Sequence, residues 1–403
     1  MTSTEPVIYN PFEPGYFDDP YAQFAQLRDA DPVHATLDGN WMLFRYDDCF
    51  RVLRDPSMSV DDRNIAGSAK QEQFEQMGIE DRGVRSMLGL DPPDHDRLRR
   101  LVSKAFTPRS IEALRPRVQT MVDERLDQMA EAGRTDLIAD LAFPLPFQVI
   151  SEMLGMPDSD VIQIRDWSGH MVKTLDPIVS DDEMLLAQKC SLQMEAYLQE
   201  VIAWKRANAA DDMLSALITA EEDGDRLTSD ELAAQVVLLF IAGHETTVNL
   251  IGNGTRSLLR QRDQWERLHA EPELIMSGID ELLRFDTPVQ ISRRVALADL
   301  EIDGHQITAG SFMATMLASA NRDPARWGDD AHRLDLTRDA GQHLSFGSGV
   351  HYCLGASLAK LEGQVAIGSF NSRFPDAQLE SDTATWNGRI NLRGLAELPI
   401  TVA

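Results

Sequence analysis

The clearest chemistry in the chain lies in the run Phe346-Gly347-Ser348-Gly349-Val350-His351-Tyr352-Cys353-Leu354-Gly355. Its glycines let the backbone turn tightly and approach something flat. The cysteine is followed by ASLAKLEGQVAIG, which reads as a helix, so Cys353 sits at a helix N-terminus. Unpaired N–H groups and the positive end of the helix dipole stabilise a thiolate there. A thiolate held by a Gly-rich loop is what a haem-thiolate iron needs, because it pushes electron density onto the metal and favours O–O cleavage. A buried structural cysteine would leave the glycines and the histidine without a shared reason.

A second constellation is Ala242-Gly243-His244-Glu245-Thr246-Thr247. Gly, His and Thr are poor helix residues, yet the surrounding pattern is strongly helical. Thr228-Ser229-Asp230-Glu231 has the T-x-x-E form of a capping box, and the pattern then runs without proline to about Leu259. At about 1.5 Å per residue such a helix is roughly 48 Å long. Being apolar on most sides around Val236–Ala242, it must cross the middle of the protein. Local rules broken at one point of such a helix mark a functional site.

The elements that position these residues are mostly helical. Residues 33 to 46 read as a short hairpin with Asp38-Gly39-Asn40 as its turn and Trp41, Leu43 and Arg45 alternating along one strand. LEIDGHQITAGSFMATML reads as a second hairpin turning at Asp303-Gly304. With no repeat or linker, the fold class expected is mainly α with a small β region. The formal net charge of −27 disfavours nucleic acid and anionic membrane surfaces. Three widely spaced cysteines, Cys49, Cys190 and Cys353, make neither a disulfide framework nor a zinc site and fit a reducing cytosol. The start MTSTEPVIYNPFEP lacks the marks of a signal peptide, and the apolar run Val236–Ala242 is too short to span a bilayer. A cytoplasmic protein without a membrane anchor is the expectation.

The cysteine run matches the haem-binding signature of the cytochrome P450 family, F-G-x-G-x-H-x-C-x-G, at every fixed position. Glu281-Leu282-Leu283-Arg284 resembles the family's E-x-x-R pair, Ala242–Thr247 its oxygen-binding helix motif, and Asp91–Arg99 the start of its haem-flanking helix. The resemblance implies one P450 domain over residues 1–403, which overrides the two or three domains that length suggests, with haem b between the long helix and the Cys loop. It implies that Cys353 ligates the iron and that Phe346, Gly347 and Gly355 belong to the haem cradle. His95, Arg99, Arg294 and His351 become propionate partners, with Arg293 the weaker neighbour for that role. Glu281 and Arg284 become a buried structural pair, joined by Arg338, that holds the cysteine loop. Thr246, loosening the helix by bonding its i−4 carbonyl, would hydrogen-bond the oxygen being activated, and Glu245 would relay protons to it.

Three functions fit a haem-thiolate protein of this kind. A monooxygenase takes two electrons from a redox partner and hydroxylates or epoxidises an apolar or amphipathic small molecule with O2. A peroxygenase of the same fold lacks the acid–alcohol pair, so Glu245 and Thr246 favour the first reading. A non-catalytic haem protein would show a second axial ligand or an output domain. By resemblance the substrate pocket is formed by Met87, Leu88, Leu238, Ile241, Ala242, Val289, Gln290, Leu395 and Ala396, with Gln290 as the hydrogen-bonding group. These positions suggest a secondary metabolite, terpenoid, steroid or fatty substrate. Arg97, Arg100 and Lys104 share one helix face, distinct from that of Arg99, and form a basic patch on an acidic chain. That patch suits an acidic ferredoxin, itself reduced by an NAD(P)H-dependent reductase.

Overall fold

The computed structural model describes residues 7–37, 39–67, 85–157, 160–222 and 225–402. Its longer helices are α1 Pro20–Ala30, α2 Tyr46–Arg54, α3 Asp94–Ser103, α4 Arg115–Ala132, α5 Pro144–Leu154, α6 Val161–Met171, α7 Asp181–Ala207, α8 Ser229–Arg260, α9 Arg262–Ala270, α10 Ile275–Phe285 and α11 Ala356–Arg373. Helix accounts for 56% of the structure, so the β part is accessory, as the sequence leads one to expect.

The long helix begins where the capping box places it. Thr228 Oγ1 accepts the Glu231 N–H at 3.1 Å, and the Glu231 carboxylate accepts the Thr228 N–H at 2.9 Å. Two hydrophobic clusters share α8. Leu232, Val236, Leu239 and Phe240 pack with residues of α3, α5 and α7. Val248, Ile251 and Leu258 pack instead with α4, α10 and α11. The polar stretch Gly243–Thr247 falls between the two clusters, so each half of the helix is held by apolar burial while its centre is free of that duty. By length and hydropathy α8 would pass for a membrane span, contrary to the short apolar run read from sequence. Its most apolar window is 61% buried, which marks it as a core helix.

A five-stranded sheet stands beside the helices. Its strands are β1 Val33–Ala35, β2 Trp41–Leu43, β3 Met58–Ser59, β4 Ile291–Ala296 and β5 Phe312–Met316, in the spatial order β1-β2-β5-β4-β3. The first hairpin pairs β1 with β2, but Ala35 faces Trp41, so its loop is longer than the three residues expected. Asp38 lies outside the described residues, and Arg45 caps α2 rather than extending the strand. The second hairpin is confined to Leu300–Ile302 and His305–Ile307. Asp303 and Gly304 at its turn both have positive φ, 47° and 80°, as a type I′ turn requires. The remainder of that predicted hairpin, β5, leaves it to pair with β4 and, in parallel, with β2. The alternation of β4 turns Arg294 inward, 5% exposed, and leaves Arg293 exposed.

One buried acid has no visible role in this packing. Glu362 of α11 is 1% exposed, and its Oε2 has no hydrogen-bond partner among the described residues. Burial pushes its carboxyl up to about 8. The unfolded chain ionises this group in the ordinary carboxylate range, whereas the native state keeps it protonated to about 8. Stability from this group is therefore greatest below the ordinary range and declines as pH rises from there to about 8. The loss is at most about 1.4 kcal/mol for each pH unit between the two values. Glu362→Gln should flatten that decline: thermal unfolding of parent and variant should differ little at pH 5 and favour the variant at pH 8. Parallel curves across that range would show that the carboxyl is not the pH-sensitive group.

Candidate active site

The loop before α11 is shaped by two glycines in the left-handed region, Gly347 at φ 68° and Gly349 at 73°. A Cβ at Gly349 would stand 2.6 Å from the Leu53 carbonyl oxygen, so the loop rests directly on the end of α2. The Cys353 N–H closes the loop on the Phe346 carbonyl at 2.9 Å. Cys353 keeps an accessible surface. Protein atoms nevertheless crowd it, and this burial pushes its thiol pKa up, while the Gly355 N–H and the Arg99 charge pull it down. The stabilisation expected from the helix end is thus present but smaller than the desolvation it opposes.

Four basic side chains converge beside this loop. His95, on the first turn of α3, is 1% exposed; its Nδ1 lies 2.9 Å from Asp96, and its Nε2 has no partner among the described residues. The His95 and His351 rings are 4.2 Å apart between centroids. Arg99 donates to the Tyr352 carbonyl at 2.6 Å. Arg294 is held by the Ser292 hydroxyl at 3.0 Å. Burial lowers Arg294 to about 10, and the Asp91 charge opposes it. Burial, then His95, Arg294 and Arg99, push His351 down to about 3. The positive charge of the site therefore rests on Arg99 and Arg294, with little carboxylate to answer it.

A buried network joins α10 to the segment that leads into the loop. Arg284 donates to both Glu281 oxygens, at 2.6 and 2.8 Å, and to the carbonyls of Asn321 and Ala331, each at 2.8 Å. Glu281 also accepts the Asp335 N–H at 3.0 Å and Arg338 Nε at 3.3 Å. Asn321, which sequence reasoning passed over, accepts the Leu344 N–H at 2.6 Å and donates to Ser345 Oγ at 2.9 Å. Nothing in the sequence around Asn321 distinguishes it from a surface turn residue.

At the centre of α8, Thr246 Oγ1 donates to the Ala242 carbonyl at 2.9 Å and Thr247 Oγ1 to that of Gly243 at 3.2 Å. His244 packs the other way: Nε2 lies 3.1 Å from the Phe143 carbonyl, and burial lowers it to about 4. Glu245 forms an ion pair with Arg389, Nη1 to Oε1 2.8 Å. Burial raises the Glu245 carboxyl, and Arg389 pulls it back. Arg389 was not singled out from the sequence, where it is one arginine in an irregular tail.

The expected pocket residues divide. Leu238 and Ile241 are half-buried and Ala242 is exposed, so with Glu245 and Thr246 they form an open stripe on an otherwise enclosed helix. Met87 is buried, its N–H on Gln235 of α8 at 3.0 Å, while Leu88 is exposed. Val289 is half-buried and bridges to Leu392. Gln290 does not open to the stripe: it is 1% exposed, and its amide donates to the Thr287 carbonyl. Leu395 packs in the main core and Ala396 faces outward on the strand Leu395–Glu397. The C-terminal segment that meets α8 beside Glu245 is the one carrying Arg389. A cleft of about 700 Å³ lies against the outer side of the Cys loop, between Phe50, Arg54, Val350 and Tyr352. It does not include Glu245 or Thr246.

The chain belongs to the cytochrome P450 family. The family model "Cytochrome P450" matches residues 42–382. The polyketide biosynthesis cytochrome P450 PksS of Bacillus subtilis is 37% identical over 99% of this chain and 100% of its own length. Its solved structure superposes with a TM-score of 0.89 over 98% of this chain and 100% of that one. The monooxygenase PikC of Streptomyces venezuelae is 41% identical over 95% of this chain and 91% of its own. The vitamin D(3) 25-hydroxylase of Pseudonocardia autotrophica is 39% identical over 100% and 98%.

The protein is therefore a cytochrome P450 monooxygenase whose cofactor is haem b and which requires O2 and a redox partner. The residues present fit that cofactor. An accessible thiol, a buried His95 nitrogen with no partner among the described residues and the charges of Arg99 and Arg294 suit a haem bearing two anionic propionates.

Proposed function

We propose that this enzyme inserts one oxygen atom of O2 into an apolar or amphipathic small molecule by hydroxylation or epoxidation. The substrate class is secondary metabolite, terpenoid, steroid or fatty. The observation that carries this reading is the open stripe on α8, where apolar Leu238, Ile241 and Ala242 run into Glu245 and Thr246. Relatives named for polyketide biosynthesis and for vitamin D(3) hydroxylation support the class. The chain is read as one P450 domain, and three free cysteines suit the cytoplasm.

In this reading Cys353 Sγ would ligate the haem iron, and Phe346, Gly347 and Gly355 shape its loop. His95 Nε2, Arg99, Arg294 and His351 hold the propionates. Glu281, Arg284 and Arg338 fasten the loop from behind; removing one partner of such a buried pair costs about 3–5 kcal/mol. The haem, when bound, supplies the oxygen-activating chemistry. Thr246 Oγ1 turns from the Ala242 carbonyl to hold a proton beside the reacting oxygen, and Glu245 carries protons to it from the solvent side. Thr246→Ala should keep haem and substrate affinity but divert reducing equivalents to hydrogen peroxide. The number to measure is product formed per NAD(P)H consumed, expected to fall several-fold; an unchanged ratio removes Thr246 from the relay.

The electrons come from a small acidic ferredoxin, reduced in turn by an NAD(P)H-dependent reductase. It docks where α3 adjoins the Cys loop. Arg100 and Lys104 are exposed on α3 and at its end, and Val350 and Tyr352 are exposed on the loop, which Arg99 of the same helix joins at the Tyr352 carbonyl. Arg97, expected on the same face, is instead paired with Asp225 and Glu231 and ties α3 to the start of α8. Arg100 and Lys104 are the exposed cations of the three, and the docking face is assigned to them on that ground. Arg100→Glu with Lys104→Glu should slow ferredoxin-supported turnover several-fold and flatten its salt dependence, with peroxide-driven turnover hardly changed. Equal loss of both activities would place the damage in the haem site and leave the docking face unsupported.

A further inference from the structure

The carboxylate of Asp280, on α10, is met by two side chains at one oxygen. Lys360 Nζ of α11 lies 2.5 Å from Oδ1, and His343 Nε2 lies 3.1 Å from the same atom. The imidazole is neutral, because its Nδ1 accepts the Ser345 N–H at 3.1 Å and a ring nitrogen that accepts carries no proton. Burial also pushes His343 down, against the pull of Asp280. His343 therefore donates from Nε2 without bringing charge, and Lys360 is the cation that cancels Asp280. Burial raises the Asp280 carboxyl, but His343 and Lys360 bring it below its ordinary value, which keeps it ionised.

This cluster stands behind the Cys loop. The His343 and Phe346 ring centroids are 5.4 Å apart, and Lys360 Nζ lies 5.8 Å from the Phe346 ring. The Phe346 carbonyl accepts the Cys353 N–H, and the Phe346 ring meets that of Tyr352 edge-on at 6.2 Å. The charge of Asp280 is felt there: burial, then Cys353 and Asp280, push the Tyr352 phenol up. The Lys360 and Asp280 side chains are 28% and 17% exposed, so water screens the pair only in part. Arg284, the other cation acting on His343, is answered by Glu281. The entry to the loop is fastened separately, since Ser345 Oγ donates to the Leu283 carbonyl at 2.7 Å and accepts Asn321 Nδ2 at 2.9 Å. What Asp280 and Lys360 add at this place is charge.

We propose that Asp280 and Lys360 form a charge-cancelled pair behind the Cys loop, joined to Phe346 through the neutral His343, and that the balance of this pair sets the reduction potential of the bound haem. The proposal rests on the reading of Cys353 as the iron ligand. One electron delivered by the redox partner adds one negative charge to the site, with no proton taken up. A cation left uncancelled nearby favours that state, and a carboxylate left uncancelled opposes it. While the pair is intact the two effects offset each other, and the potential is left to the thiolate and the propionate partners.

The two members of the pair make opposite predictions, which simple damage to the loop does not. Spectroelectrochemical titration of the substrate-free, haem-loaded enzyme reads the potential, and the red-shifted band of the reduced carbon monoxide complex reads thiolate ligation. Asp280→Asn keeps an acceptor for His343 but leaves the Lys360 charge uncancelled, so the potential should rise. Lys360→Met leaves Asp280 uncancelled, so the potential should fall. The double variant of the two restores neutrality and should return close to the parent, which tests coupling within the pair. Lys360→Arg and the neutral exchange His343→Phe should also stay close to it. If the parent itself lacks the red-shifted band, the reading of Cys353 fails and takes this proposal with it. If the band is intact throughout while the two single variants leave the potential in place, or move it the same way, Cys353 stands and the pair does not set the potential. Loss of the band in both single variants and in the double variant would make the pair a prop of the loop, which also overturns the proposal.

Discussion

A carboxylate with no access to water must be answered at once, and in this fold the answer to Glu281 organises everything downstream of it. Glu281 and Arg284 are both fully enclosed. Arg284 has donors left over after meeting Glu281, and it spends them on the carbonyls of Asn321, Ala331 and Arg333. Those carbonyls belong to a stretch with little regular structure. An irregular segment cannot be positioned by its own ladder of hydrogen bonds, so it takes its course from a buried guanidinium. Asn321 then passes the alignment to Leu344 and Ser345, immediately before the glycine turns that present Cys353. The placement of one sulfur atom thus traces back to an ion pair on a different helix.

The second constraint is electrostatic and has the opposite sign. Arg99, Arg294 and His351 are gathered where burial works against their charge, and all three are pushed down accordingly. A protein that folds in this way stores an unfavourable charge distribution which a dianionic ligand relieves. The same logic operates in miniature above the Cys loop, where Glu245 is raised by burial and restrained by Arg389.

Much of this was legible because the signals are local. The capping box Thr228–Glu231, the i−4 bond of Thr246 and the glycine turns before Cys353 depend on neighbours a few residues away, and local rules report them directly. What was not legible depended on long-range seating. Helical spacing places Arg97, Arg100 and Lys104 on one face, but only the fold shows that Arg97 meets Glu231 and Asp225. β5 continues a plausible hairpin in sequence yet pairs with β4 and β2, because its inward residues fill the sheet's own core. Leu395 packs in the main core near Gly252 of α8, while Arg389, a few residues earlier, reaches Glu245 because Asp176 and Asn391 fasten that turn. No spacing rule connects a carboxylate in one loop to the aim of an arginine in another.

Under the proposed function, all of these arrangements serve the ligation of iron by the Cys353 thiolate. The most direct measurement is the absorption spectrum of the reduced carbon monoxide complex, taken for the parent and for Cys353→His and Cys353→Ala. The parent should show the red-shifted band for which the family is named, and Cys353→His should keep some haem while losing that band. Persistence of the red-shifted band in either variant would contradict the assignment of Cys353, and with it the account of why the loop, α10 and the basic cluster are built as they are.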